Sequence, residues 1–368
     1  MRRVDGAGTN EADTVTERIM ALAERGWVPD AAIRWGIRRL CAERLRLERG
    51  RRGRLAQHDA IVAFIEGLRG AEVALVPDKA NAQHYAVPPE LFQLMLGRRL
   101  KYSACWWNDG VTSLDDAEEA SLALTAEHAA LEDGMDVLEL GCGWGSLSLW
   151  MAERYPRSRI VGVSNSHSQR RFIEREARSL GLTNLSVVTA DMNVFSTDER
   201  FDRVVSVEMF EHMRNYHALF DRIATWLRPD GLLFVHVFCH RDLPYFFEED
   251  GAGNWMGRHF FSGGLMPSAD LLPLVSSDFT LVGQWHWDGR HYARTARAWL
   301  ANLDAHRTEV LEVLAAAYGA RDAWRWLGRW RIFLMACEEL FGYAGGREWG
   351  VAHYRFSRKS RARIERAS

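Results

Sequence analysis

Residues 207–213 read VEMFEHM and place Glu208, Glu211 and His212 within five positions, next to the apolar run VVSV. Three ionisable groups beside a buried strand are costly to desolvate unless they are paired or used. Helical offsets of three and four would put Glu208 on one face with both Glu211 and His212. Carboxylates next to an imidazole can attract a cation and accept its proton near neutral pH. A solvated first helical turn, where acids are favoured, accounts for the same residues without any chemistry. A metal site is a third reading of ExxEH, with His236, His240 or Glu139 as further ligands, but such sets need an open coordination geometry supplied from elsewhere.

The elements around the cluster narrow the choice. MDVLELGCGWG (135–145) reads as a strand entering a Gly-rich turn, followed by the helix SLSLWMAERY. SRIVGVSNS (158–166), LSVVTAD (185–191), FDRVVSV (201–207) and GLLFVHVF (231–238) repeat the strand pattern with helical spacers. This alternation predicts an α/β fold with a parallel sheet, and FTLVGQWHW (279–287) and VAHYRFSR (351–358) are late strands that complete it. Glu139, Gly141, Gly143 and Gly145 form ExGxGxG rather than GxGxxG, and no GK[ST] follows. Glycines here permit a tight turn and close backbone approach to a nucleoside at the strand's carboxyl end.

At 368 residues the chain can bury one large or two ordinary cores. A net charge of −2 and a pI near 6.7 give no sign of nucleic-acid binding. Fifteen Trp residues are the unusual feature, since aromatic rings line pockets as well as cores. Five scattered cysteines without a CxxC indicate neither a disulfide framework nor a structural zinc site. No signal peptide or uninterrupted apolar run of 18 residues is found, so a cytoplasmic protein without an integral membrane segment is expected.

Residues 1–15 read as a disordered tail and 16–70 as helices. Between Arg34 and Arg54 nine arginines face only Glu43 and Glu48, which suits a solvated helix face or a contact with anionic lipid or acidic partners. YAVPPELFQLMLG (85–97) predicts a Pro-started helix. The segment 239–268 is too long for a simple connector and is a candidate lid.

ELGCGWG, VSNSHSQ and the Ala190–Asp191 pair resemble S-adenosylmethionine-dependent methyltransferases. More narrowly, YSACWW, VSNSHSQ, FEHM and HYARTARAWL resemble the cyclopropane-fatty-acid synthase family over residues 80–358. VEMFEHMRNY, Cys239–His240 and WRIF…ELFGY are similar to its plant alkaloid branch, typified by coclaurine N-methyltransferase. The resemblance implies a seven-stranded Rossmann-like class I methyltransferase domain over 99–368. An N-terminal helical region would precede it, and insertions at 241–270 and 291–345, the latter helical, would interrupt it. It implies S-adenosylmethionine as cofactor, with Tyr102 and Ser103 at the methionine end, Glu139, Gly141 and Gly143 along it, Asn165 and Gln169 at the ribose, and Asp191 and Met192 flanking the adenine. Asn165 stands where many other methyltransferases have an acid. The substrate would be a small aromatic amine, bound by Glu208 and Glu211 and deprotonated by His212. Trp106, Trp107, Trp330, Phe333 and Tyr343 would line its pocket. Methyl transfer from a sulfonium needs no metal, and none is expected.

Two other functions remain open at this point. In lipid cyclopropanation a bound bicarbonate removes the proton, and Glu211, His236 and Tyr292 match the positions that cradle it in the family. Peripheral membrane contact would then follow. Ala104 replaces the usual Cys and Glu208 the usual Gly, and a second carboxylate suits a cation better than bicarbonate. A degenerate cofactor-binding scaffold is the non-enzyme reading, opposed by the intact ExGxGxG and acid–His cluster.

Overall fold

The computed structural model describes residues 11–52, 57–75, 87–249, 254–276 and 278–359. Five strands come first, with helices between all but β3 and β4: β1 (Asp136–Leu140), β2 (Arg159–Ser164), β3 (Leu185–Thr189), β4 (Phe201–Val207) and β5 (Leu227–His240). β6 (Tyr245–Phe246) and β7 (Leu265–Met266) pair apart from the others, and β8 (Phe279–Asp288) and β9 (Trp349–Arg358) come late. The main sheet has seven strands in the order β3-β2-β1-β4-β5-β9-β8. β1 to β5 are parallel, while β9 runs antiparallel between β5 and β8. Val137, Leu138, Leu140, Val204 and Val205 are almost wholly buried, as expected of strands covered on both faces.

The strand order reverses between β1 and β4, and there the crevice beyond the strand carboxyl ends is a binding site by construction. The turn after β1 delivers the chain into the helix Ser146–Arg154 through Gly141, Gly143 and Gly145, all at positive φ (80°, 53° and 83°). A Cβ on Gly141 would stand 2.7 Å from Met209 Cγ, so this turn requires glycine for space as well as for conformation. Ser166 begins the helix His167–Ser179 by accepting the Gln169 N–H at 3.4 Å, which fixes Gln169 at the mouth of β2.

The helical insertion between β8 and β9 has three helices, Gly289–Ala305, Arg307–Tyr318 and Ala320–Gly342. The last two are the pair that the sequence over 305–340 predicts, parted at Gly319 with its φ of 88°, and Gly289–Ala305 is the additional one. The expected disordered tail is corrected in part: residues 11–15 begin the helix Glu11–Glu24, and residues 1–10 lie outside the described residues. The predicted helix at 85–97 spans Pro89–Met95. The Arg-rich stretch lies mainly on the helix Asp30–Arg52, and much of its charge is used within the chain. Arg34 pairs with Glu338 and Glu339, Arg38 with Glu339, Arg44 with Glu48, and Arg49 with Glu348. No helix among the described residues is long and apolar enough to cross a membrane.

Candidate active site

β4 delivers the acid–His cluster to the crevice, but the local geometry differs from the expected helix. Glu208 has φ 49°, in the left-handed region, and Phe210–His212 is a single 3₁₀ turn. A left-handed residue breaks the helical register, so the three side chains diverge rather than share a face. Glu208 and His212 line a cavity of about 740 Å³ with Gly141, Gly143, Asn165, Gln169, Asp191 and Met192. A second cavity of about 600 Å³ is lined by Tyr102, Ser103 and Glu139 and shares Gly141, Gly143 and Glu208 with the first. All nine residues expected at the cofactor line one or other of these two adjoining cavities, with Gly141, Gly143 and Glu208 between them.

Glu208 is 9% exposed at its side chain, and donors surround its carboxylate. The Ala104 N–H donates to Oε1 at 2.9 Å, His236 Nε2 stands 3.1 Å from the same oxygen, and the Tyr292 hydroxyl donates to Oε2 at 2.7 Å. Burial raises its pKa from the ordinary glutamate value, opposed by the nearby Lys101 ammonium and by the Ala104 and Tyr292 hydrogen bonds. His236 and Tyr292, expected to cradle a bicarbonate, hold this carboxylate instead. Glu211 does not line the crevice. It is completely buried, accepts the Phe238 N–H at 2.7 Å and leaves Oε2 without a partner among the described residues. Burial and the adjacent Glu208 charge push its pKa well above the ordinary glutamate value. His212 is half-buried and stacks on Phe261 with ring centroids 4.7 Å apart; burial lowers its pKa to about 4.

None of the aromatics expected at the substrate, Trp106, Trp330, Phe333 and Tyr343, lines either of these two cavities. Trp330 and Phe333 pack on Phe260 at 5.3 and 4.3 Å inside the core of the helical insertion. Trp106 stacks on His291 at 4.0 Å, Trp107 donates to Thr295, and Tyr343 meets the edge of Trp349. Their abundance serves packing between helices. Residues that sequence reasoning missed include Ala74, Met209, Met213 and Ser262 in the first cavity, and Lys101, Thr125, Trp144 and Ser146 in the second. Trp144 and Lys101 adjoin recognised motifs, whereas Ala74 arrives only through an isolated bridge to Met213 and two bonds to the Asn193 amide.

The crevice suits a nucleoside sulfonium. Among the described residues, Gln169 Nε2 in the first cavity and Thr125 Oγ1, Trp144 Nε1 and Ser146 Oγ in the second are buried with no protein partner. Such atoms cost free energy unless a ligand engages them. Nothing within 4 Å would meet a Cβ on Gly143, so the space above that residue belongs to the crevice.

This seven-stranded sheet with its ligand crevice at the β1/β4 reversal is that of a class I S-adenosylmethionine-dependent methyltransferase. Residues 76–345 match the model of the mycolic acid cyclopropane synthetase family, and the chain belongs to that family, in its coclaurine N-methyltransferase-like branch. It is 36% identical over 348 residues to (S)-coclaurine N-methyltransferase of Papaver somniferum, covering 93% of this chain and 98% of the relative. A crystal structure of coclaurine N-methyltransferase bound to N-methylheliamine and SAH superposes with a TM-score of 0.87 at 32% identity, over 95% of this chain and all of that one. The cyclopropane synthase MmaA2 of Mycobacterium tuberculosis shares the fold more distantly, with a TM-score of 0.64 at 24% identity over 76% of this chain and 98% of that one.

Proposed function

We propose that the protein methylates the nitrogen of a small aromatic amine of the benzylisoquinoline type. The observation that carries this reading is the Glu208 carboxylate filling the space between the Ala104 N–H, His236 and Tyr292. A fixed negative charge there attracts an ammonium and repels bicarbonate. Bound S-adenosylmethionine supplies an electrophilic methyl on a cationic sulfur. Tyr102 and Ser103 take its amino-acid end, Asn165 and Gln169 the ribose, and Asp191 and Met192 the adenine.

An ammonium has no lone pair, so its proton must leave before the nitrogen can attack. Glu208 draws the cation in, and its buried carboxylate holds a proton more readily than an exposed one. His212 faces the same cavity and stays neutral at physiological pH, offering a lone pair to the substrate N–H. Glu211, buried beneath the turn, supports its backbone and the start of the β5 exit through the Phe238 N–H. All five cysteines are free thiols, which supports a cytoplasmic setting.

The test presents labelled S-adenosylmethionine to a panel of benzylisoquinoline-type amines and to unsaturated phospholipid vesicles, each with and without bicarbonate. Label on the amine nitrogen, independent of bicarbonate, is expected. Label in acyl chains stimulated by bicarbonate, with every amine untouched, would overturn the reading.

A further inference from the structure

Behind Glu208 lies a chain of buried imidazoles that methyl transfer as described does not use. β5 and β9 pair with His236 directly opposite His353, and Trp285 of β8 lies opposite His353 on the other side. His236 Nδ1 is 2.8 Å from His353 Nε2, and His353 Nδ1 is 2.8 Å from Nδ1 of His128, the last residue of the helix Leu114–His128. His236 and His353 are 0% exposed and His128 is 7% exposed, its ring stacked on Trp285 with centroids 3.9 Å apart. Three sequence-distant histidines thus form one line that ends on the carboxylate.

Hydrogen-bond directions along such a line are not independent. Each neutral imidazole has one N–H and one bare nitrogen, so fixing the proton on one ring fixes it on the next. A carboxylate can only accept. With Glu208 ionised, His236 must carry its proton on Nε2, leaving Nδ1 to accept from His353 Nε2–H. His353 Nδ1 in turn accepts from His128 Nδ1–H.

We infer that His353 and His128 are positioning residues for Glu208, holding His236 in the Nε2–H tautomer and so holding Glu208 as the ionised acceptor that an ammonium requires. This rests on the amine reading above. Burial keeps His236 and His353 neutral, reinforced by the neighbouring Lys101 ammonium, as a line of single donors needs. The other groups facing Glu208 are Lys101, Glu211, His212 and Tyr292; Glu127 and Arg355 stand near His128. None of these can replace a donor to His236 Nδ1 from behind the sheet.

Two substitutions separate positioning from packing. Glutamine at 353 keeps the function, because its amide nitrogen donates toward His236 while its oxygen accepts from His128. Leucine removes both, so His236 Nδ1 loses its donor, the Nε2–H tautomer is held by Glu208 alone, and the share of molecules with the proton on Nδ1 and no bond to the carboxylate rises. Loss of a hydrogen bond to an ionised group raises the Glu208 pKa by about one unit or more. Activity needs ionised Glu208, so the acid limb of the kcat/KM profile moves to higher pH. His353→Leu is expected to show that shift, with His353→Gln superimposing on the unsubstituted enzyme. In ¹⁵N-histidine NMR of the unsubstituted protein, His236 is expected to carry its proton on Nε2, with Nδ1 bare. An unshifted acid limb in a folded His353→Leu enzyme, or a proton on His236 Nδ1 in the unsubstituted protein, overturns the inference. Should no amine be methylated while NMR gives the expected tautomers, the substrate reading fails and the imidazole assignment stands.

Discussion

Glu208 combines two features that are costly separately: a left-handed φ of 49° on a non-glycine residue and a nearly buried carboxylate. Its own N–H donates to the His236 carbonyl at 2.9 Å, and the side chain accepts from three groups, so the surroundings over-determine the strained conformation. Glu208→Gln keeps the shape, removes the charge and turns an NH₂ toward a donor. Amine turnover is expected to fall on the order of 10²-fold or more, measured as kcat at saturating cofactor. Glu208→Gly relieves the backbone and empties the carboxylate's seat. That variant should fold at least as well and regain part of its amine turnover with added formate, which the Ala104 N–H, His236 and Tyr292 can hold. The absence of any formate dependence would mean that the three donors do not form an anion seat on their own. Residue types at this site were legible in VEMFEHM, because acids and an imidazole beside a strand need a reason. Their directions were not. A helical offset rule assumes helical backbone, and one left-handed residue turned Glu208 into the crevice and Glu211 under it.

At the scale of elements, the first five strands were readable because a strand buried on both faces is a continuous apolar run bounded by turn residues. The insertion of β9 between β5 and β8 was not, since antiparallel pairing over more than a hundred residues leaves no local mark. The strap 97–103, which carries Tyr102 and Ser103 to the crevice, was likewise invisible as a unit. Glu118 holds it: Oε1 accepts the Gly97 and Lys101 N–H groups at 2.9 and 3.2 Å, and Oε2 accepts Arg99 N–H at 2.7 Å. A Cβ on Gly97 would stand 2.7 Å from this carboxylate, so only glycine lets it approach. Glu118→Gln leaves the Arg99 N–H facing a donor and is expected to cost about 1–3 kcal/mol in denaturant unfolding and to weaken cofactor binding. Burial raises the Glu118 pKa from 4.5 to about 7. The folded chain therefore keeps a proton that the unfolded chain releases, and the associated stability is full below pH 4.5 and lost as pH rises through about 7. Glu118→Gln should flatten that part of the stability profile. The Gly-rich turn gives a complementary test. Gly143→Arg meets no protein atom at its Cβ and carries only the strain of a φ of 53°, about 1–3 kcal/mol, so it should remain folded at somewhat lower stability while calorimetric titration shows S-adenosylmethionine binding lost.

Across the whole molecule, the N-terminal helices are joined to the catalytic sheet through the insertion. Ala23, Cys41 and Leu45 share one apolar core with Trp330, Phe333 and the Leu91–Phe92 helix. Arg331 bridges Asp30 and Asp304, Arg329 reaches Glu24 at 3.2 Å, and the Trp255 Nε1–H donates to Glu24 Oε1 at 3.0 Å. Glu24 thereby ties the first helix to both the insertion and the segment after β5. Farther along, the Arg214 N–H donates to the Val73 carbonyl and Ala74 lines the crevice, so the N-terminal region contributes directly to the site. The closest approach is at Gly328, where a Cβ would stand 2.0 Å from the Glu24 carbonyl oxygen. Both are backbone positions of packed helices, so neither can yield by a rotamer change. Gly328→Val must therefore push the helix Glu11–Glu24 off the helix Ala320–Gly342 and disturb the shared core. A loss of about 1–3 kcal/mol in denaturant unfolding is expected, the range for overpacking. Because one core spans both regions, the unfolding should remain a single transition, and the displaced helix, tied through Glu24 and Trp255 to the short helix that anchors Ser262, should raise the amine KM more than it lowers kcat. An early, separate transition with unchanged KM would show instead that the N-terminal helices are an independent cap with no part in the crevice.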